Sequence, residues 1–104
     1  MEKISREDFE KKVLQCTAPV VVDFYADWCM PCRTLAPTLE EVSRELAGDI
    51  RFVKINVDDD ASLANHYGVM SVPTVMLFEK GAERDRFVGA LSKGQVERFV
   101  SQSL

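Results

Sequence analysis

Six consecutive residues, Val20-Val21-Val22-Asp23-Phe24-Tyr25, constrain the fold more than any other stretch of this chain. β-Branched and aromatic side chains suit extended backbone, and a strand apolar on both faces needs cover on both. A sheet with helices packed on each side supplies that cover. Ser5 to Cys16 reads as a helix capped by Ser5, with Phe9, Val13 and Cys16 recurring on one face. Thr34 to Ala47 reads as a longer helix whose apolar stripe is Cys32, Leu35, Leu39, Val42 and Leu46. Pro37 inside it predicts a bend, and Gly48 a stop.

Arg51 to Val57 predicts a second strand, with Val53, Ile55 and Val57 on one face and Lys54 on the other. Asp58-Asp59-Asp60 leads into a short helix, Ala61 to Tyr67, ended by Gly68. The acidic run suits the positive end of a helix dipole. Thr74 to Glu79 and Arg84 to Val88 predict two more strands joined by a turn at Gly81. Ser92 to Gln95 has the form of a capping box for a last helix carrying Val96, Phe99 and Val100. The expected architecture is α/β: a central mixed β-sheet of four to five strands flanked by about four α-helices. At 104 residues it is expected to fold as one domain, residues 1–104.

A net charge of −4 and the lack of a basic stripe argue against nucleic acid as a partner. The longest apolar stretch is interrupted by Asp23 and is too short to span a membrane. The N-terminus has no apolar signal-like segment, so the expectation is a cytoplasmic protein without membrane association. Three cysteines do not make a disulfide scaffold, and in a reducing compartment a disulfide is usually transient or catalytic.

Two of them stand three positions apart in Trp28-Cys29-Met30-Pro31-Cys32, between the first strand and the long helix. Residues so spaced share a helix face, which brings two thiols within reach of the narrow geometry a disulfide accepts. Unpaired N–H groups and the positive dipole end at the helix start favour thiolate at the first sulfur, and thiolate is the nucleophile. Cys29, before the helix and among exposed-leaning neighbours, is assigned as the attacking sulfur. Cys32, on the buried stripe, is assigned as the resolving one. Cys29 would form a mixed disulfide with a substrate, and Cys32 would displace it. Pro31 costs little so near a helix start and stiffens the link. Zinc is disfavoured, because only Cys16 and His66 remain to complete a set of four ligands, and no metal is expected. Cys16 reads as a small core residue, and His66 as a surface or helix-end residue.

Asp23 is the one charge in an apolar strand, and a buried carboxylate needs pairing or protonation. Burial raises its pKa, which suits a group exchanging a proton with Cys32 directly or through water. Lys54 interrupts its own strand's apolar pattern and is either Asp23's partner or a surface lysine. Pro73 opens a strand, a position proline tolerates. Trp28 and Met30 flank the reactive sulfur, as docking residues or as local packing.

From Phe9 to Val100 the chain resembles the thioredoxin family. The resemblance rests on Val21-Val22-Asp23-Phe24-Tyr25-Ala26, Trp28 to Arg33, Ala36-Pro37, Lys54 to Asp58, Tyr67-Gly68-Val69, Val72-Pro73-Thr74 and Val88 to Lys93, in that order. It implies the thioredoxin fold, with Pro73 in cis beside the sulfur pair, and proton transfer assisted by Asp23 and Lys54. It also implies a flat apolar docking face made of Trp28, Met30, Pro31, Val72, Pro73, Gly89 and Ala90. There the Val72 backbone would pair with an extended substrate segment. It implies a monomer that reduces disulfide-containing protein substrates, is recharged by a thioredoxin reductase and holds no cofactor. An oxidant or isomerase on the same scaffold, or a non-catalytic binding subunit, are the alternative readings. Met30 stands where the family usually has Gly, and residues between the cysteines help set the redox balance, about 30 mV per roughly 1.4 kcal/mol. Tyr25 stands where the family often has Trp.

Overall fold

Strand and helix alternate along the chain up to a closing hairpin and a last helix, and the five strands join one sheet in the order β1-β3-β2-β4-β5. The computed structural model describes all 104 residues. The strands are β1 (Glu2–Lys3), β2 (Val20–Tyr25), β3 (Arg51–Asn56), β4 (Thr74–Glu79) and β5 (Ala82–Val88). The helices are α1 (Arg6–Phe9), α2 (Met30–Glu45), α3 (Ala61–His66) and α4 (Lys93–Val100). β1 and β2 pair parallel to β3, whereas β4 pairs antiparallel to both β2 and β5. This is the mixed sheet expected, here with five strands.

The period of two along the strands sorts side chains into two cores. Val20, Val22 and Phe24 of β2 join Met76 and Phe78 of β4 on one face, packed with Phe9, Val13 and Leu63. Val21 joins Val75 and Leu77 on the other face, packed with Leu35, Leu39 and Val42 of α2 and Val96, Phe99 and Val100 of α4. β2 is therefore covered on both sides, as its composition demands. Asp23 keeps the parity of Val21 and faces α2.

Several boundaries differ from the sequence reading. The predicted helix from Ser5 to Cys16 is a short α-helix continued by a π-helical segment, Glu10–Leu14. Ser5 takes the N-cap position without a side-chain cap bond. α2 starts at Met30, four residues before Thr34, because a proline is tolerated in a first helical turn. It ends at Glu45 with Leu46 as C-cap, so Gly48 is not its stop. β3 ends at Asn56, leaving Val57 outside. β5 begins at Ala82, two residues before Arg84, because a two-residue turn suffices to pair Glu79 with Ala82. Lys80 and Gly81 have φ of 52° and 82°, the left-handed pair such a hairpin turn requires. The capping box of α4 forms as expected: Gln95 N donates to Ser92 Oγ at 3.3 Å, and Ser92 N donates to Gln95 Oε1 at 3.0 Å. No helix is long and apolar enough to cross a membrane.

Candidate active site

β2 delivers the chain from the sheet to the start of α2, and the two cysteines sit on that junction. Cys29 is the N-cap of α2, with φ −89° and ψ 113°, and its sulfur accepts the Cys32 N–H at 3.2 Å. The two residues are joined as a disulfide, with Cα atoms 5.2 Å apart. An N-cap acceptor satisfies one of the unpaired amide groups at a helix start. Here that acceptor is the first sulfur of the pair.

The expected contrast in exposure between the two cysteines is absent. Cys29 is 3% exposed and Cys32 6%. Cys29 is covered because Val57 and Val72, from loops far along the chain, pack with Ala26 against the pair. The two sulfurs differ instead in what they face. Cys29 Sγ lies 3.4 Å from the carbonyl oxygen of Val72, in the segment leading to the cis Val72–Pro73 bond. Cys32 lines a cavity of about 230 Å³ beneath the start of α2, together with Asp23, Tyr25, Arg33, Ala36 and Lys54. A water needs on the order of 10–15 Å³ of such space, so this cavity has room for several.

Asp23 is buried, and its Oδ1 has no hydrogen-bond partner. Loss of hydration outweighs the opposing attraction of Lys54 and pushes the carboxyl pKa up to about 7. Lys54 is half-buried and stands in register with Asp23 across the parallel strands. Its ammonium lies 5.4 Å over the Tyr25 ring, a cation–π placement.

The expected docking residues gather around Cys29 with unequal exposure. Trp28 and Met30 are exposed to 68% and 65%, and Pro31 and Ala90 are also exposed. Val72 and Gly89 are half-buried and Pro73 is buried. Gly89 N donates to the Pro73 carbonyl at 2.9 Å, which fixes the β5–α4 loop against the cis proline. Trp28 Nε1 donates to Asp58 Oδ2 at 2.9 Å, holding the indole beside the pair.

Met70 is a residue the sequence reading missed. It is 97% exposed and lines a cleft of about 150 Å³ with Trp28, Val57, Val69, Ser71 and Val72. The available signal was a methionine in the loop before Ser71-Val72-Pro73, outside any helical or strand period. Cys16 is half-buried against the first core, and His66 is exposed at the end of α3 with its ring on Tyr67. No group of three His, Cys, Asp or Glu side chains stands close enough to hold a metal.

The family model described as Thioredoxin matches residues 1–102. Similar proteins include a thioredoxin of Rickettsia felis, 37% identical over 97% of this chain and 96% of that protein. A thioredoxin of Pseudomonas aeruginosa is 40% identical over 97% of this chain and 94% of that protein. Thioredoxin M4, chloroplastic, of Arabidopsis thaliana is 38% identical over 97% of this chain and 52% of that protein. Matched along nearly its whole length, with a bonded cysteine pair at the mouth of its central strand, the chain belongs to the thioredoxin family and is a disulfide oxidoreductase working by dithiol–disulfide exchange.

Proposed function

We propose that the chain reduces disulfide-containing proteins with Cys29 as nucleophile and Cys32 as resolving thiol. The observation that carries this assignment is the Cys29 sulfur at the N-cap of α2, accepting the Cys32 N–H. In the dithiol form the same amide and the helix dipole stabilise negative charge on that sulfur. The Cys29 thiolate attacks one sulfur of the substrate disulfide, and the other leaves as a thiolate. Asp23, ionised at that point, takes the Cys32 proton through water in the adjoining cavity. The Cys32 thiolate then attacks Cys29 Sγ, expels the second substrate thiolate, and leaves the Cys29–Cys32 bond seen here. Two electrons pass to the substrate, and solvent and Asp23 supply the two protons. Lys54 acts on Asp23 electrostatically across the paired strands.

Trp28, Met30, Pro31, Val72, Pro73, Gly89 and Ala90 form the docking face, where the exposed aromatic and methionine side chains supply apolar area. The family generally works with thioredoxin reductase, and we assign such a reductase as the electron donor here. Both sulfurs and the surrounding face come from one chain, which suits action as a monomer and as a single domain, residues 1–104. A cytoplasmic site of action fits a pair that must return to the dithiol after each cycle, since thiols stay reduced there.

An insulin-reduction assay tests this reading, run in parallel with NADPH-dependent and ferredoxin-dependent thioredoxin reductases and with dithiothreitol as a chemical donor. The wild-type protein is expected to accelerate reduction with dithiothreitol and with one of the two reductases. Cys29→Ser is expected to abolish the acceleration. A Cys29→Ser protein that retains the wild-type rate overturns the assignment.

A further inference from the structure

The cleft beside Cys29 contains a feature that the exchange chemistry does not use. Met70 is almost fully exposed, an unusual state for a large apolar side chain in a loop, and with Trp28 and Val72 it walls a cleft of about 150 Å³. That volume is well below the roughly 300–1,000 Å³ of a small-molecule site, and is on the scale of a single amino-acid side chain. The cleft is continuous with the reacting centre. Val72 offers its carbonyl 3.4 Å from Cys29 Sγ, and Trp28 directly precedes Cys29. Five of its six lining residues are apolar or aromatic, Ser71 being the exception, and of these Val57, Val69 and Val72 are half-buried whereas Trp28 and Met70 are exposed.

We propose that Met70 is a specificity-determining residue: it forms the outer wall of a subsite that takes one apolar side chain of the substrate segment carrying the target cysteine. The proposal rests on the docking role given above to Val72. In an extended segment, residues two apart point to the same face. A substrate cysteine directed at Cys29 therefore brings the side chains two positions away toward the protein surface, one of them over this cleft. Main-chain pairing supplies affinity in such strand addition, and side-chain pockets supply selectivity. A methionine wall is unbranched and polarisable, so it closes on leucine, isoleucine, methionine or phenylalanine alike.

The test uses two disulfide-linked peptides that differ only at the positions two residues either side of the cysteine, Leu in one and the near-isosteric, uncharged Asn in the other. The readout is the ratio of their kcat/KM values, which cancels any general loss of activity. Wild type is expected to prefer the Leu peptide by about tenfold. Met70→Ser is expected to bring that preference below about threefold, chiefly through a raised KM for the Leu peptide, and Met70→Leu to restore it. An unchanged ratio in Met70→Ser overturns the subsite and leaves the exchange reading standing. Failure of the wild-type protein to reduce either peptide overturns both.

Discussion

Asp23 and Lys54 stand opposite one another in register on β2 and β3, yet no direct ion pair joins them. Both line the cavity that Cys32 faces, and the Lys54 ammonium lies over the Tyr25 ring. An ion pair would hold the carboxyl ionised throughout the physiological range. Held apart, the lysine only moderates the effect of burial, and the carboxyl titrates at about 7. A carboxyl poised there can both take and return a proton at neutral pH.

The cost of this arrangement is a stability that falls with rising pH. In the unfolded chain the carboxyl titrates near its ordinary 3.8, and in the folded protein near 7. Between these values the folded state binds the extra proton, so its advantage is complete below the lower value and is lost as pH rises through the upper one. Asp23→Asn abolishes the dependence. The variant is expected to match wild type near pH 4 and to exceed it above about pH 7, by up to about 4 kcal/mol. Urea titrations of the oxidised proteins across this range check it; parallel curves for the two proteins contradict it. Insulin reduction by the same variant is expected to slow at least about tenfold near neutrality, the lower end of what a positioned acid–base group supplies.

Lys54→Met removes the one positive charge that opposes burial at Asp23. The Asp23 midpoint is expected to move upward, and the pH profile of disulfide exchange to move with it in the same direction. Carboxyl-carbon NMR of the oxidised protein reads the midpoint directly. A midpoint that stays in place assigns Lys54 to the Tyr25 contact alone.

Trp28→Ala deletes an exposed indole and one hydrogen bond to Asp58. Because the bond lies at the surface, the expected loss of stability is small, about 1 kcal/mol or less. The larger effect is expected in KM for protein disulfides, several-fold upward, with little change in the rate of intramolecular closure by Cys32. Steady-state insulin kinetics and a single-turnover measurement separate the two. A changed closure rate with unchanged KM contradicts a docking role.

The sequence was most informative where one residue broke a strong pattern. Asp23 interrupts an apolar run and Lys54 interrupts another, and both breaks fall on the sheet face beneath Cys32. The sheet and its helices were legible because β2 and β4 are apolar on both faces and α2 keeps an apolar stripe. β1 was not legible, since Glu2 and Lys3 are exposed and carry no apolar period. The π-helical segment was equally hidden, because Phe9 and Val13 bury in the same core whichever hydrogen-bond pattern links them. Burial of Cys29 escaped because its cover, Val57 and Val72, arrives by tertiary folding. Met70 escaped because its place in a cleft shared with Trp28 comes from tertiary folding, which no local spacing encodes.

The central claim is a division of labour between two equally buried sulfurs, and limited alkylation of the reduced protein addresses it most directly. Brief treatment with iodoacetamide near pH 7, followed by peptide mapping, is expected to place the first label on Cys29, with Cys32 modified much later. Labelling of Cys32 ahead of Cys29, or of neither, would contradict it.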